Sequence, residues 1–352
     1  MENKKNKALF VVSPYYGGAS RMTINISNLL NKEKFDVFFL CYGPQMYEIE
    51  HFLPSESVVE CLNICNIWDF ATFKIIKILK KYKITHVFCS FAFMSPRIIL
   101  AAKWVGGIKI IQRCSNSFSY FSFINRVLLK WTFPMSDVVI AQQEEMAEEL
   151  IKAIPKIKDK ICILHNILDK KLIDQNIKEE SPYPKENQIR YIWTGRITYT
   201  KGYDVLLKAF NLVRQYMPEA HLYLLGKKED DMFYKNLQTY IVNNNLTKYV
   251  HFEGLLTNPH VWIKNANCFV LPSRLEGLPN SLIEAMYIGV PVVCTRCVPI
   301  IDRIVKNGYN GYVVSSENYR ALADAMVKAL NLQDFEMTYK SSSPEDFRSL
   351  FD

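Results

Sequence analysis

The sequence lacks the features of a membrane-spanning or secreted chain. No apolar run among its 352 residues approaches the ~18–20 residues that a membrane-spanning helix needs. The N-terminal MENKKNK contains no apolar signal-peptide core. The nine cysteines are scattered, and Cys294-x-x-Cys297 has neither a second pair nor a nearby histidine. These absences predict a cytoplasmic chain with reduced cysteines and no metal site.

The chain carries enough apolar residues for two sizeable cores. Hydrophobic residues make up 49% of the sequence, and its length exceeds the roughly 250–300 residues at which a single core stops growing. Apolar runs alternate with amphipathic stretches, which is typical of parallel α/β sheets. We therefore predict two doubly wound domains, 1–168 and 189–333, a charged linker at 169–188 that contains two prolines, and a tail at 334–352.

The predicted elements follow the same alternation. Strands of the first domain are expected at 8–12, 36–41, 86–91, 108–111, 138–141 and 161–164, with helices at 21–31, 70–82, 96–104, 122–132 and 143–153. Strands of the second are expected at 189–193, 220–225, 249–252, 268–271, 290–294 and 312–314, with a last helix at 316–331.

One stretch suggests a ligand site. After the strand 268–271, a loop carries Glu276, and a helix that ends near Gly289 carries Glu284 on one face with Asn280 and Ser281. The amides near Asn280–Leu282 favour a phosphate, since helix N-termini attract anions. The carboxylates suit sugar hydroxyls, so a nucleotide sugar fits. Solvated acids at a helix start explain the spacing alone equally well.

This stretch resembles the signature of the retaining GT-B glycosyltransferases of family 4. Glu276-x7-Glu284 lies within SRLEGLPNSLIEAM and is followed by GVPVV. The resemblance implies two Rossmann-like domains facing each other across a cleft, and a C-terminal tail that crosses back to the first domain. It also implies that Glu284 holds the nucleotide ribose and that Glu276 contacts the donor sugar.

A second element resembles the same family. In TGRITYTKG, Gly195 and Arg196 precede Lys201, and the family's two cations at these positions grip the donor diphosphate. Arginine binds two phosphate oxygens in its planar fork, whereas lysine acts as a point charge. Cations in a dry site stabilise a leaving diphosphate without a metal. By resemblance, Gly226 and Leu255 line the nucleotide base.

The first domain offers weaker candidates. Its first loop is not Gly-x-Gly-x-x-Gly, yet Gly17 and Gly18 let a ligand approach the backbone closely. A plain tight turn is the alternative. The resemblance implies that this loop approaches the donor diphosphate. Where many members place a histidine against the sugar, this chain offers Arg113, Ser115 and Asn116.

Positive charge is concentrated in the first half. Residues 1–168 carry a net charge of +7 against +1 for the rest. A helix with Lys74, Lys77 and Lys81 and an aromatic stretch with Arg126 and Lys130 suit an anionic lipid surface. Two helices with ordinary solvated faces are the alternative. The hypothesis is a peripheral location on the inner face of the cytoplasmic membrane.

Together these features predict a retaining, metal-independent hexosyltransferase without a cofactor. Its donor is a nucleotide sugar, UDP-linked by preference, and its acceptor is a glycan or lipid-linked oligosaccharide of a capsule or lipopolysaccharide. A sugar-nucleotide epimerase and a non-catalytic binding subunit remain alternatives. The net charge of +8 also suggests a nucleic-acid binder, but no recognised motif accompanies it, so no nucleic-acid partner is predicted.

Overall fold

The chain forms two compact α/β units, which confirms the predicted fold class. The computed structural model describes residues 5–15, 17–64, 69, 71–184, 187–333, 335–337 and 339–352. Contacts group Met1–Ile167 with Lys340–Asp352 into the first unit and Leu168–Tyr339 into the second.

Each unit is built on a parallel sheet. The first has seven strands: β1 Asn6–Val12, β2 Phe35–Cys41, β3 Val58–Cys61, β4 His86–Cys89, β5 Lys109–Arg113, β6 Val138–Ala141 and β7 Ile161–Ile163. The second has six: β8 Ile189–Thr194, β9 Ala220–Leu225, β10 Val250–Gly254, β11 Cys268–Leu271, β12 Val292–Thr295 and β13 Gly311–Val314. Their orders are β3-β2-β1-β4-β5-β6-β7 and β10-β9-β8-β11-β12-β13. Both begin with the 3-2-1-4-5-6 arrangement of the Rossmann fold.

Helices follow most strands. In chain order they are α1 Gly18–Leu29, α2 Thr72–Tyr82, α3 Ser95–Val105, α4 Phe123–Thr132, α5 Glu144–Ala153, α6 Lys170–Asn176, α7 Tyr203–Tyr216, α8 Asp231–Asn243, α9 His260–Lys264, α10 Asn280–Ile288, α11 Ile301–Ile304, α12 Tyr319–Ala329 and α13 Pro344–Arg348. No helix in the described part of the chain is long and apolar enough to cross a membrane.

Buried strands explain why the apolar runs predicted most of these elements. In β1, Leu9 and Val11 pack into one apolar cluster while Phe10 and Val12 pack into another, as expected of a strand covered on both faces. The edge strand β3 was missed. Its sequence VVEC is short, and its side chains are exposed or only partly buried, so it gives no continuous apolar signal.

The chain end belongs to the first unit. Phe351 is buried and stacks on Phe10, with ring centroids 5.6 Å apart. The Arg348 guanidinium donates to the Leu29 carbonyl at the end of α1, over 2.9 Å. A capping box between Ser343 and Asp346 starts α13. Aromatic burial therefore fixes this segment on the sheet of the first unit.

The range 169–188, predicted as a linker, contains the helix α6. Asp169 caps it, because its carboxylate accepts from the Leu172 amide over 3.0 Å. Residues from Leu168 onward group with the second unit. Lys185 and Glu186, in the same predicted range, lie outside the described residues. The charged composition of 169–188 therefore predicted a linker where the structure has a short capped helix, which is anchored by the buried Ile173.

Candidate active site

The candidate residues of the second unit gather where its strand order reverses. Open α/β sheets bind ligands beyond the carboxyl ends of their strands, at the point where neighbouring connections diverge. In this sheet, β8 and β11 flank that point. Gly195 and Arg196 follow β8, and Glu276 lies in the loop after β11. Residues distant in sequence are thereby brought to one sheet edge.

The centre of the site is an ion pair between Lys201 and Glu276. The lysine Nζ lies 2.6 Å from Glu276 Oε1, and the two side chains are only 17% and 11% exposed. The buried Ser273 donates its hydroxyl to the same oxygen over 2.7 Å. Both contacts fall on Oε1, so within the described residues Oε2 is the oxygen that can face a ligand hydroxyl.

Backbone contacts hold the loop that carries Lys201 against the loop that carries Glu276. Gly202 has a left-handed φ of +68°, and a Cβ on it would lie 2.0 Å from the Pro272 carbonyl oxygen. The Arg274 amide donates to the Thr200 carbonyl over 2.8 Å. Only glycine therefore allows the lysine loop to lie directly against the glutamate loop.

Arg274 adds a side-chain clamp between the same loops. Its guanidinium makes two 2.8 Å hydrogen bonds to Asp204 and lies 3.9 Å from the centre of the Tyr199 ring. It also pairs with Glu317. Burial opposes ionisation of Asp204, but the hydrogen bonds from Arg274 lower the pKa of that carboxyl. The clamp is therefore a fixed ion pair at neutral pH.

Arg196 lies at the more exposed side of this edge. One of its terminal nitrogens, Nη1, contacts Glu229 Oε2 over 2.9 Å. Below it, Gly226 packs so closely that a Cβ would lie 1.8 Å from the Gly195 carbonyl oxygen. The half-exposed Leu255 follows β10 at the same sheet edge. These glycines let β8 and β9 end in contact beneath the arginine.

The helix α10 begins one turn before a buried carboxylate. Its N-cap residue, Pro279, makes no side-chain cap, and its first turn holds Asn280, Ser281 and Leu282. Glu284, one turn later, is 5% exposed, and its Oε2 lies 3.4 Å from His260 Nε2. The amides of Asn280 and Leu282 donate to the carbonyls of Leu278 and Pro279 over 3.0 and 3.1 Å. The positive end of the helix dipole therefore lies beside a buried carboxylate.

The candidates of the first unit have structural partners. Arg113 is buried and donates to Asn166 Oδ1, and the Ser115 hydroxyl donates to the Ser90 carbonyl over 3.1 Å. The carbonyl oxygen of Asn116 accepts from the Cys114 thiol. The structure therefore gives each of these residues a role in holding strand ends.

The glycine loop of the first unit is open. Gly17 is extended, with a φ of −164°, and a Cβ on it would meet nothing within 4 Å. The adjacent Gly18 begins α1. Unlike Gly202, Gly17 is not required by contacts within the described chain.

Several residues of the site were not predicted as functional. Ser273 and Arg274 lie within the recognised SRLEG motif, so the motif could have suggested them. Glu229 and His260 carry no local signal, because only the fold brings them to Arg196 and Glu284. Arg196 and Glu229 are 33 positions apart, and His260 and Glu284 are 24 positions apart.

Nucleophilic cysteine chemistry and metal binding both depend on which side chains lie in the part of the site that the structure describes. Burial raises the pKa of Cys297 to about 12, so this thiol beside the ion pair stays protonated and is a poor nucleophile. Within the described ranges, no group of three or more His, Cys, Asp or Glu side chains is placed to hold a metal ion. The charged groups at this sheet edge include the side chains of Arg196, Lys201, Glu229 and Glu276.

Comparisons with known proteins agree with this architecture. Residues 16–172 match the family described as Glycosyltransferase Family 4, and residues 174–345 match Glycosyl transferases group 1. Anabaena Alr3699/HepE superimposes with a TM-score of 0.75 in its complex with UDP and of 0.74 in its complex with UDP-glucose, both at 17% identity. Both alignments cover 92% of this chain and 90% of that one.

Two relatives of assigned activity align over most of their length. A UDP-Gal:alpha-D-GlcNAc-diphosphoundecaprenol alpha-1,3-galactosyltransferase of Escherichia coli is 24% identical, over 90% of this chain and 85% of its own. The capsular polysaccharide biosynthesis glycosyltransferase CapH of Staphylococcus aureus is 25% identical, over 83% and 79% respectively.

The fold thus defines a GT-B protein, with two Rossmann-like units, and the second unit carries charged side chains at one sheet edge. Both halves of the chain match glycosyltransferase families, and the match continues through the strands that carry the site. The chain belongs to the family 4 glycosyltransferases.

The close approach at Gly202 predicts an unequal response to two alanine substitutions. Gly289→Ala should cost only the left-handed strain, about 1–2 kcal/mol, because nothing lies within 4 Å of its Cβ at a φ of +87°. Gly202→Ala should cost about 1–3 kcal/mol more, because its Cβ displaces the Pro272 carbonyl. Thermal unfolding of both variants measures the difference, and equal losses of Tm would contradict the steric argument.

Proposed function

We propose that the chain is a retaining hexosyltransferase that uses a UDP-linked donor without a metal ion. The observation that carries this proposal is the partly buried Lys201–Glu276 pair at the reversal of the sheet, together with Arg196 and the uncapped α10. This set supplies positive charge for a diphosphate and carboxylates for sugar hydroxyls.

In this proposal, Lys201 and Arg196 stabilise the leaving nucleoside diphosphate. The bond between the sugar C1 and the phosphate oxygen breaks, and negative charge grows on that oxygen. Fixed cations in a water-poor site lower the barrier, because they are already oriented toward the developing charge. Lys201 can donate to a phosphate while it still contacts Glu276, since an ammonium has three N–H groups.

Retention is proposed to follow from attack on the face that the diphosphate leaves. The acceptor oxygen forms its bond to C1 as the phosphate departs, and the acceptor proton passes to the leaving phosphate oxygen. Glu276 orients the sugar through Oε2, and Glu284 accepts hydrogen bonds from the ribose hydroxyls. No thiolate participates in this scheme, which agrees with the raised pKa of Cys297.

The proposed acceptor is a lipid-linked glycan of a surface polysaccharide. Of the two relatives, one acts by its name on a diphosphoundecaprenol-linked sugar, and the other belongs to capsule synthesis. Such acceptors lie at a membrane surface.

The helix α4 of the first unit supports this acceptor class. Its outward stripe contains Phe123, Ile124, Val127 and Trp131, and Phe123 and Trp131 are 73% and 57% exposed. Lys130 lies beside them and is also exposed. Exposed aromatic residues with neighbouring cations suit the interface of an anionic bilayer. We propose that this stripe binds the inner face of the cytoplasmic membrane peripherally.

Donor binding tests the proposed activity. Titration calorimetry in EDTA with UDP-glucose, UDP-galactose, their N-acetyl forms and GDP-mannose should show selective binding of one UDP-hexose, and UDP release should continue without metal. Preference for GDP-mannose, or loss of turnover in EDTA, would contradict the proposal. Absence of binding to every donor would favour the non-catalytic subunit, and conversion of the donor without an acceptor product would favour the epimerase.

Lys201→Gln should remove catalysis without removing the fold. The amide can still donate to Glu276, but it carries no charge toward the diphosphate. We expect kcat for UDP release to fall about 100–1000-fold, as for loss of one preorganised donor to a developing anion. Lys208→Gln, on the exposed face of α7, is the matched control and should keep wild-type kcat. Near-normal turnover of Lys201→Gln with an unchanged melting curve would refute the assigned role.

The α4 stripe should bind anionic vesicles. In flotation with phosphatidylglycerol-containing liposomes, the double variant Phe123→Ser/Trp131→Ser should lose most of the bound fraction. Lys130→Gln should weaken binding about fivefold, because one cation near such a surface contributes about 1 kcal/mol. Tyr216→Ser, which removes an exposed aromatic residue of α7, serves as the control. Equal flotation of the double variant and this control would disprove the docking surface.

A further inference from the structure

A buried histidine lies behind the carboxylate of Glu284. His260 is 2% exposed, and its Nε2 lies 3.4 Å from Glu284 Oε2. Within the described part of the chain, this nitrogen makes no hydrogen bond of standard geometry. The separation is that of an ion–dipole contact rather than of a full hydrogen bond. A modest rotation of the Glu284 side chain would bring Oε2 within hydrogen-bonding distance of Nε2.

The tautomer of His260 is set by Asn176. The Asn176 side-chain nitrogen lies 3.0 Å from His260 Nδ1. An amide nitrogen donates and cannot accept, so Nδ1 must be the accepting nitrogen and the ring proton resides on Nε2. With this pairing, Nε2 is the ring nitrogen whose N–H faces the glutamate.

The pair is anchored by its own network. Asn258 donates its side-chain amide to the Asn176 carbonyl over 3.0 Å and accepts from the His260 amide over 3.1 Å. The same helix α6 also contacts α10, since Tyr287 donates to Asp174 over 3.0 Å. The end of α6, the start of α9 and the helix that carries Glu284 are thus held in one arrangement.

We propose that His260, fixed by Asn176, is a positioning residue that orients the Glu284 carboxylate toward the two hydroxyls of the donor's ribose. This inference rests on the proposed function, in which Glu284 receives the ribose. A carboxylate that is this buried needs a hydrogen-bonding or charged partner. A lysine in that position, like Lys201 beside Glu276, would neutralise the charge of the carboxylate. The His260 imidazole lies against one carboxylate oxygen, Oε2, and can thereby fix the plane of the carboxylate that receives the hydroxyls.

The contrast with Glu276 supports this assignment. Glu276 is paired with the ammonium of Lys201, so part of its charge is already compensated. Glu284 Oε2 lies instead against an imidazole nitrogen, whose ring contacts Asn176 through Nδ1. The two carboxylates are therefore held by different groups, so a change at His260 should alter the placement of Glu284 and leave the Lys201–Glu276 pair in place.

The experiment compares binding of UDP, 2′-deoxy-UDP and 3′-deoxy-UDP by titration calorimetry. Wild type should bind UDP at least about tenfold tighter than either deoxy analogue, because each lost hydroxyl leaves a buried charged acceptor unsatisfied. In His260→Ala this preference should shrink to within about threefold, mainly because UDP binding weakens while binding of the analogues changes little.

Two further variants keep the test independent of folding defects. His260→Gln retains an N–H near the position of Nε2 and should keep most of the ribose preference. Asn176→Ala keeps the ring but frees its tautomer and should lose part of the preference. His251→Gln alters another partly buried imidazole of the same unit, one that lies 2.9 Å from His221, and should leave the preference unchanged.

The outcomes distinguish a failure of this inference from a failure of the proposed function on which it rests. A wild-type protein that does not bind UDP, or that binds all three nucleotides alike, would overturn the proposed donor site itself. Wild-type discrimination that persists unchanged in His260→Ala and Asn176→Ala would overturn only the positioning role. Equal weakening of all three nucleotides would show that His260 merely supports the fold.

Discussion

The candidate site depends on one close contact, between the loop after β8 and the loop after β11. With no Cβ at Gly202, its backbone can lie against Pro272, and Arg274 then locks the two loops through Asp204. Without this contact, Lys201 and Glu276 would be flexible side chains on separate loops. The parallel sheet brings the loops to one edge, but the glycine and the arginine clamp bring their charges within bonding distance.

The ion pair itself contributes little net stability. Removing two charged groups from water costs several kcal/mol for each ion, and the attraction between them repays that cost only partly. A hydrophobic pair would fill the same volume at lower cost, so stability does not explain its presence. The proposed function does explain it, because a site that stabilises a leaving diphosphate needs an ammonium in place before the reaction.

Apolar periodicity predicted the doubly wound fold class, because buried parallel strands are continuous apolar runs. The family motifs selected Arg196, Lys201, Glu276 and Glu284 as candidates, and the structure brings Lys201 into contact with Glu276. Sequence patterns did not predict the edge strand β3, whose residues lack an apolar run, or the helix α6, whose charges resemble a linker. His260 and Asn176 were also missed, being 84 positions apart. The two residues meet only in the folded chain, and sequence spacing does not predict such a contact.

The distribution of charge between the units bears on donor recognition. In the first unit, Arg113 is buried against Asn166 and Ser115 against a backbone carbonyl, so these side chains are already used to fix strand ends. In the second unit, Arg196 is more than half exposed and α10 has no side-chain cap among the described residues. Anion binding needs donors that are oriented but not yet saturated. Arg196 and Lys201 of the second unit lie at one sheet edge, so the nucleotide part of the proposed donor should draw most of its binding energy there.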